Sequence, residues 1–158
     1  MTPYDLNIYF ETVIKFGTDK QPLNLVADTG SSWTWVLTDE CIDLDDCVDH
    51  NSYHHLMSDT FQTTQESKKI TYGDRVTEGQ ICTENARLDT SDDLFIEEFP
   101  IIKVDEKQDD DDQFSGIVGL SPKDDSAGPL FIDYLFNQGQ IDRKQFSILI
   151  QEDINDDS

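Results

Sequence analysis

The sequence predicts a mainly β domain carrying one short helix. Three observations predict it. Runs rich in β-branched and aromatic residues recur along the chain. Clusters of Gly, Pro, Asp and Asn separate them, and a single segment spaces its apolar residues as a helix does. At 158 residues the chain is long enough for one domain with a real core.

Taken in order, NIYFETVIKF, residues 7–16, reads as a first strand. GTDKQP supplies turn chemistry, and LNLVA, residues 23–27, reads as a second strand. An acidic loop is expected over 38–50. KKITYGDRVTEGQIC, residues 68–82, reads as strand, loop and strand, a hairpin whose tip falls between Gly73 and Glu78. LFIEEFPIIKV, residues 94–104, is a further strand, and DEKQDDDDQ after it reads as a solvated loop. That run lacks the spaced ligands and glycine of an EF-hand loop. FSGIVGLSP, residues 114–122, is a short apolar strand bracketed by glycines. GPLFIDYLFNQGQ, residues 128–140, is the helix, with Pro129 in its first turn, Gly139 at its end and a stripe of Leu130, Phe131, Tyr134 and Leu135. QFSILIQ, residues 145–151, reads as a last strand. No internal repeat is visible.

The formal net charge is -23, from 11 basic and 34 acidic residues. That balance argues against nucleic acid and anionic membrane surfaces, which require clusters of Lys and Arg. It fits both a solvated acidic surface and a chain working in acid, where about half of ordinary carboxylates are protonated near pH 4. No apolar run reaches membrane-spanning length. No basic start followed by an apolar segment is present, so no signal peptide is expected here. The mature part of a secreted protein reads the same. Of the three cysteines, Cys41 and Cys47 lie close together in CIDLDDC, where a small local disulfide is favoured in an oxidising compartment. Zinc is the weaker reading, because no second Cys or His pair has ligand spacing. Cys82, in the alternating stretch GQICTENARL, reads as a packed thiol.

The stretch LVADTGSSWTWV raises the functional question. The apolar run Leu25-Val26-Ala27 delivers a carboxylate, Asp28, to the end of a buried strand. An Asp there ordinarily caps a turn. Here Gly30 permits a sharp turn and close backbone approach. The hydroxyls of Thr29 and Ser31 are placed to donate hydrogen bonds that hold a carboxylate.

ADTGSSWTWV resembles the active-site loop of the pepsin-like aspartic proteases, and the likeness continues in order along nearly the whole chain. ITYG, residues 70–73, resembles the start of that family's substrate-covering flap. FSGIVGL resembles its apolar-apolar-glycine segment, and CIDLDDCVDHNSY its small disulfide loop. The resemblance implies a pepsin-like acid protease barrel, in the form of the amino-terminal lobe, with a flap hairpin. It assigns Asp28 as the catalytic carboxylate, with Thr29, Gly30 and Ser31 in support. Tyr72 becomes the flap tyrosine, followed by Gly73 and Asp74, with Trp35 as its hydrogen-bonding neighbour. Val26, Tyr72, Phe114 and Ile117 would line an apolar pocket, and Cys41 would pair with Cys47. No cofactor and no metal is implied, the partner is a polypeptide substrate, and the compartment is secreted, lysosomal or vacuolar. Two positions depart from the family pattern. The flap tip reads Asp74-Arg75-Val76 where small glycine-containing loops are usual, and Ser115 stands where an Asp is common.

Proteolysis of this kind needs two carboxylates, and the chain carries one such loop. LDTSD, residues 88–92, has Ser91 where glycine is required, and DDSAG, residues 124–128, lacks the apolar lead-in. The resemblance therefore implies residues 1–151 as the first lobe and 152–158 as the start of an acidic linker to a second lobe that supplies the other Asp. Two other readings stand beside this one. The first is an inactive peptide-binding module of the same fold, and the second is a homodimeric protease that supplies Asp28 twice.

Overall fold

The computed structural model describes residues 10–43, 51–73, 75–89, 91–105, 114–122 and 128–148. Seven strands form one sheet: β1 (Glu11–Phe16), β2 (Gln21–Asp28), β3 (Trp35–Leu37), β4 (Gln62–Tyr72), β5 (Arg75–Leu88), β6 (Ser91–Val104) and β7 (Gly116–Gly119). Their order is β1-β2-β7-β3-β6-β5-β4, and β5 also pairs with β1. That extra pairing closes six strands into a barrel and leaves β4 as an extension from β5. The described residues also form two helices, α1 (Asp39–Asp43) and α2 (Phe131–Asn137), and a 3-10 turn, His55–Met57. The fold is mainly β and is one lobe of the pepsin type, as expected.

Strand alternation divides the apolar residues between two clusters. Leu23 and Leu25 of β2, Val36 of β3, Ile101 of β6 and Val118 of β7 enter the barrel core with Ile14, Phe16, Ile96 and Phe99. Their strand neighbours Val26, Trp35, Leu37, Ile102 and Ile117 enter a second cluster outside it. The short central strands thus bury both faces, which explains their continuous apolar runs. α2 closes one end: the Phe99 ring meets Phe131 and Tyr134 edge-on, at 5.3 and 5.2 Å between centroids.

Several local expectations are corrected. The hairpin tip is shorter than the span Gly73–Glu78. Tyr72 already pairs with Arg75, so both strands extend to the edges of that span. Gly73, at φ +60°, supplies the left-handed conformation that such a tight turn demands. Arg75 and Val76 therefore belong to β5 rather than to the tip. The turn after β1 covers residues 17–20 only, and Gln21 and Pro22 already belong to β2. Within the expected acidic loop, residues 39–43 form α1. α2 begins at Phe131 with Leu130 as its cap, so Pro129 lies ahead of the first turn. Gly139, at φ +73°, does end it. The expected last strand is not formed over 145–148, and its remainder, like Cys47, Asp74 and the linker 152–158, lies outside the described residues.

One carboxylate is sealed inside the core side of β5. Glu84 is fully buried and accepts hydrogen bonds from the Tyr53 and Thr60 hydroxyls and, at 2.6 Å, from its neighbour's N–H at Asn85. Burial, then the Glu84 hydrogen bond and charge, push the Tyr53 phenol above its ordinary value, so it stays a donor at every physiological pH. This pair fastens the 51–61 segment to the barrel.

Tyr53→Phe removes one donor from a buried carboxylate. It is expected to lower stability by about 1.5–3 kcal/mol, read from denaturant unfolding at neutral pH. Cys82 is a buried free thiol, and burial pushes its pKa up to about 11. At pH 8 only about one thiol in a thousand is then thiolate. Alkylation in the native state is expected to be slow and to reach completion only in denaturant, as read by mass spectrometry.

Candidate functional site

Asp28 is the last residue of β2 and lies opposite Gly119 in the parallel β2–β7 ladder. Ala27 faces Val118 and Val26 faces Ile117 in the same ladder. Asp28 and Ile117-Val118-Gly119 therefore stand side by side. The chain then turns at Thr29 and Gly30, both exposed, and the Gly30 N–H donates to Asp28 Oδ1 at 2.8 Å. This turn does locally what an Asx turn does anywhere, while the ladder fixes it globally.

Three further hydrogen bonds stitch this loop to the end of β7. Leu120 N–H donates to the Asp28 carbonyl at 2.7 Å, and Ser121 N–H to the Ser31 carbonyl at 2.9 Å. The third is the Gly119 N–H donating to Thr34 Oγ1 at 3.2 Å. Thr34 is fully buried, and the sequence reading passed over it. Its signal was weak: a single hydroxyl between two tryptophans. The approach is close enough that a Cβ on Gly119 would lie 2.6 Å from the Ser32 carbonyl carbon and 2.7 Å from the Trp33 oxygen. Only glycine fits under the loop.

Beside the carboxylate stands the second apolar cluster. Val26, Trp35, Phe114 and Ile117 are buried in it, with Tyr72 and Ile70 packed against them. The Trp35 and Phe114 rings lie 5.9 Å apart. Tyr72 comes from the end of β4, so the β4–β5 hairpin brings it over this group. Burial pushes its phenol up, the adjacent Ser31 hydroxyl and Trp35 indole N–H pull it down, and the Asp28 charge pushes it up again. Tyr72 therefore shares one electrostatic neighbourhood with Asp28, Ser31 and Trp35. The Tyr72 hydroxyl, Ser31 Oγ and Trp35 Nε1 are nevertheless buried without a completed hydrogen bond. The carboxylate takes its hydrogen bond from the Gly30 backbone, while the expected Ser31 hydroxyl is left with none.

Trp33 was also missed as part of this region. It is buried in the same cluster, its Nε1 has no partner, and the Lys68 ammonium stands 5.6 Å from its ring. Ser115 is buried behind the cluster and its carbonyl accepts the Leu37 N–H at 2.9 Å. Gly73 lies at the hairpin tip, and Cys41 is buried in α1. Among the described residues, no group of three or more His, Cys, Asp and Glu is arranged to hold a metal ion. No helix among them is long and apolar enough to cross a membrane. The arrangement can present one carboxylate, oriented by backbone, at the foot of an apolar wall covered by a hairpin.

A sequence model of the eukaryotic aspartyl protease family matches residues 9–158. The chain is 33% identical to pepsin A of Sus scrofa over 166 residues, covering 95% of this chain and 38% of that protein. It is 32% identical to pregnancy-associated glycoprotein 6 of Ovis aries over 144 residues, covering 89% and 37%. It is 38% identical to a vacuolar aspartic protease of Candida albicans over 76 residues, covering 48% and 18%. The chain thus spans well under half the length of these relatives.

Thr34→Val is expected to strand the Gly119 N–H beneath the Asp28 loop. The loss should be about 1–3 kcal/mol in denaturant unfolding, with Thr34→Ser restoring most of it.

Proposed function

Because this chain belongs to the eukaryotic aspartyl protease family, we propose that it is the lobe of an aspartic endopeptidase that supplies the first of two catalytic carboxylates, Asp28. The observation that carries this reading is the seat of Asp28. It stands at a strand end, held by the Gly30 N–H and by β7, beside the Tyr72 hairpin.

In this reading an extended polypeptide lies between the Asp28 loop and the β4–β5 hairpin, which acts as the flap. Tyr72, Gly73 and Asp74 cover it, Trp35 stands behind Tyr72, and Val26, Phe114 and Ile117 receive an apolar side chain. One ionised carboxylate takes a proton from water as the water attacks the scissile carbonyl carbon. The second, protonated, gives its proton to the carbonyl oxygen. The two titrate as a pair that shares one proton, a general property of aspartic proteases. Thr29, Gly30 and Ser31 orient the first carboxylate. The second comes from the remainder of the protein, in keeping with a chain that covers only 37–38% of pepsin A and pregnancy-associated glycoprotein 6.

Residues 1–151 are the lobe and 152–158 begin the linker. Cys41 and Cys47 form the small disulfide, a pairing supported by the buried position of Cys41 and the oxidising compartment the reading requires. The compartment is a secreted or vacuolar one, supported by the net charge of -23 and by the vacuolar relative.

Asp28→Asn in the full-length protein is expected to lower hydrolysis of a denatured protein at acid pH by at least about 10² to 10⁴. Unchanged activity would remove Asp28 from the mechanism. The 158-residue chain alone is expected to be nearly inactive. Activity per chain that rises with its concentration would instead establish the homodimer, and an inactive full-length protein that still binds peptide would establish a binding module.

A further inference from the structure

The face of β4 that carries Tyr72 continues from the hairpin tip toward the barrel. Burial alternates along it: Lys68, Ile70 and Tyr72 are half-buried, while Ser67, Lys69 and Thr71 are exposed. Residues two apart share one face of a strand. Ile70 and Tyr72 pack against the apolar cluster that holds Val26, Trp33, Trp35, Phe114 and Ile117. Lys68 is the third residue of that row, and its ammonium stands 5.6 Å from the centroid of the Trp33 ring. Trp33 is 6% exposed and belongs to the same cluster. The row that begins at Tyr72 thus ends in a cation.

Two lysines adjacent in sequence are placed differently. Lys69, on the outer face, lies 3.6 Å from Glu78 of β5. Lys68 lies opposite Gly79, which brings no side chain to the inner face. Only glycine fits there, because a Cβ on Gly79 would lie 2.1 Å from the Lys103 carbonyl oxygen. An aromatic face attracts an ammonium without cancelling its charge. The Trp33 ring therefore gives Lys68 a fixed seat and leaves a positive charge on the inner face of the hairpin. In a chain of 34 acidic and 11 basic residues, a basic group in that place runs against the prevailing charge. It complements a carboxylate brought in from outside.

We propose that Lys68, seated on Trp33, is a specificity-determining residue that pairs with an acidic side chain of the polypeptide substrate. The proposal rests on the reading of the β4–β5 hairpin as the flap. Lys68 lies four residues from Tyr72, about 13 Å along an extended strand. An extended substrate covers that distance in about four residues, so the acidic side chain lies within about four residues of the one beneath Tyr72. The favoured substrates are then peptides that carry Asp or Glu there and an apolar side chain against Val26, Phe114 and Ile117.

The test uses the full-length protein and an Ala-rich peptide with a central Leu-Phe pair. Its variants bear a single Glu or a single Gln at each position within about four residues of that pair. The assay runs at about pH 5.5, where a substrate glutamate is ionised. At one position the Glu peptide is expected to have a kcat/KM about tenfold above that of its Gln counterpart. Lys68→Gln should abolish the difference, Lys68→Arg should keep it, and Lys69→Gln, on the outer face, should leave it unchanged. The Kd of the same peptides for the Asp28→Asn protein, read by calorimetry, should show the same preference without hydrolysis. That measurement separates the two readings: a protein that cleaves nothing yet binds Glu peptides through Lys68 has the Lys68 site and is not a protease. Equal kcat/KM and equal Kd for Glu and Gln at every position, a preference that survives Lys68→Gln, or binding of none of the peptides would overturn the proposal. Should Lys68→Gln fail to fold, Lys68→Met, which keeps an aliphatic stem on Trp33, takes its place with the same expected loss.

Discussion

The insertion of β7 between β2 and β3 is the constraint on which the rest of the site depends. β2 and β3 follow each other in sequence, yet they do not pair. β7 arrives much later in the chain and takes the place between them, parallel to β2 and antiparallel to β3. The connection over 29–34 must therefore cross the end of β7. That crossing explains the glycine at 119, whose missing side chain leaves room for Ser32 and Trp33. It also explains why the loop is held by hydrogen bonds to residues 119–121 rather than by its own turn alone. The position of the Asp28 carboxylate is set by this crossing.

The two apolar clusters treat their polar atoms differently. On the barrel side, the buried Glu84 carboxylate is met by Tyr53, Thr60 and a backbone N–H. On the other side, Ser31, Trp33, Trp35 and Tyr72 each carry a buried polar atom with no partner. Tyr72, beside Ser31 and Trp35, also feels the Asp28 charge.

With so few cations, where each one goes matters. Lys103 is almost fully buried, which works against its charge. Its hydrogen bonds to Glu40 and Asp105, with their charges, outweigh that and raise its pKa. It remains charged and anchors the acidic start of α1 to the barrel. Exposed pairs such as Lys69–Glu78 contribute little by comparison, because solvent screens them. Among the described residues, Lys103 is thus a buried cation tied to Glu40 and Asp105, with His55 also close to Glu40.

The sequence by itself determined the local chemistry: apolar runs that had to be buried, turn residues that had to bend, and a carboxylate delivered by Leu25-Val26-Ala27. The ordered motifs were legible because each needs particular residues within a few positions, as Gly73 does at its turn and Gly139 at the end of α2. Strand lengths were less legible. Polar stretches such as Gln62–Ser67 become strand because a partner strand is present, which no local pattern records. The converse holds for residues 145–148, where an apolar alternating run stays irregular. Thr34 and Trp33 could not be recognised at all from sequence. Their meaning comes from contacts with Gly119 and Lys68, and only the tertiary structure decided which distant groups those side chains would meet. The physical reason is that burial and hydrogen-bond partnership are properties of pairs, and the pairs here are set by where β7 inserts and how the barrel closes.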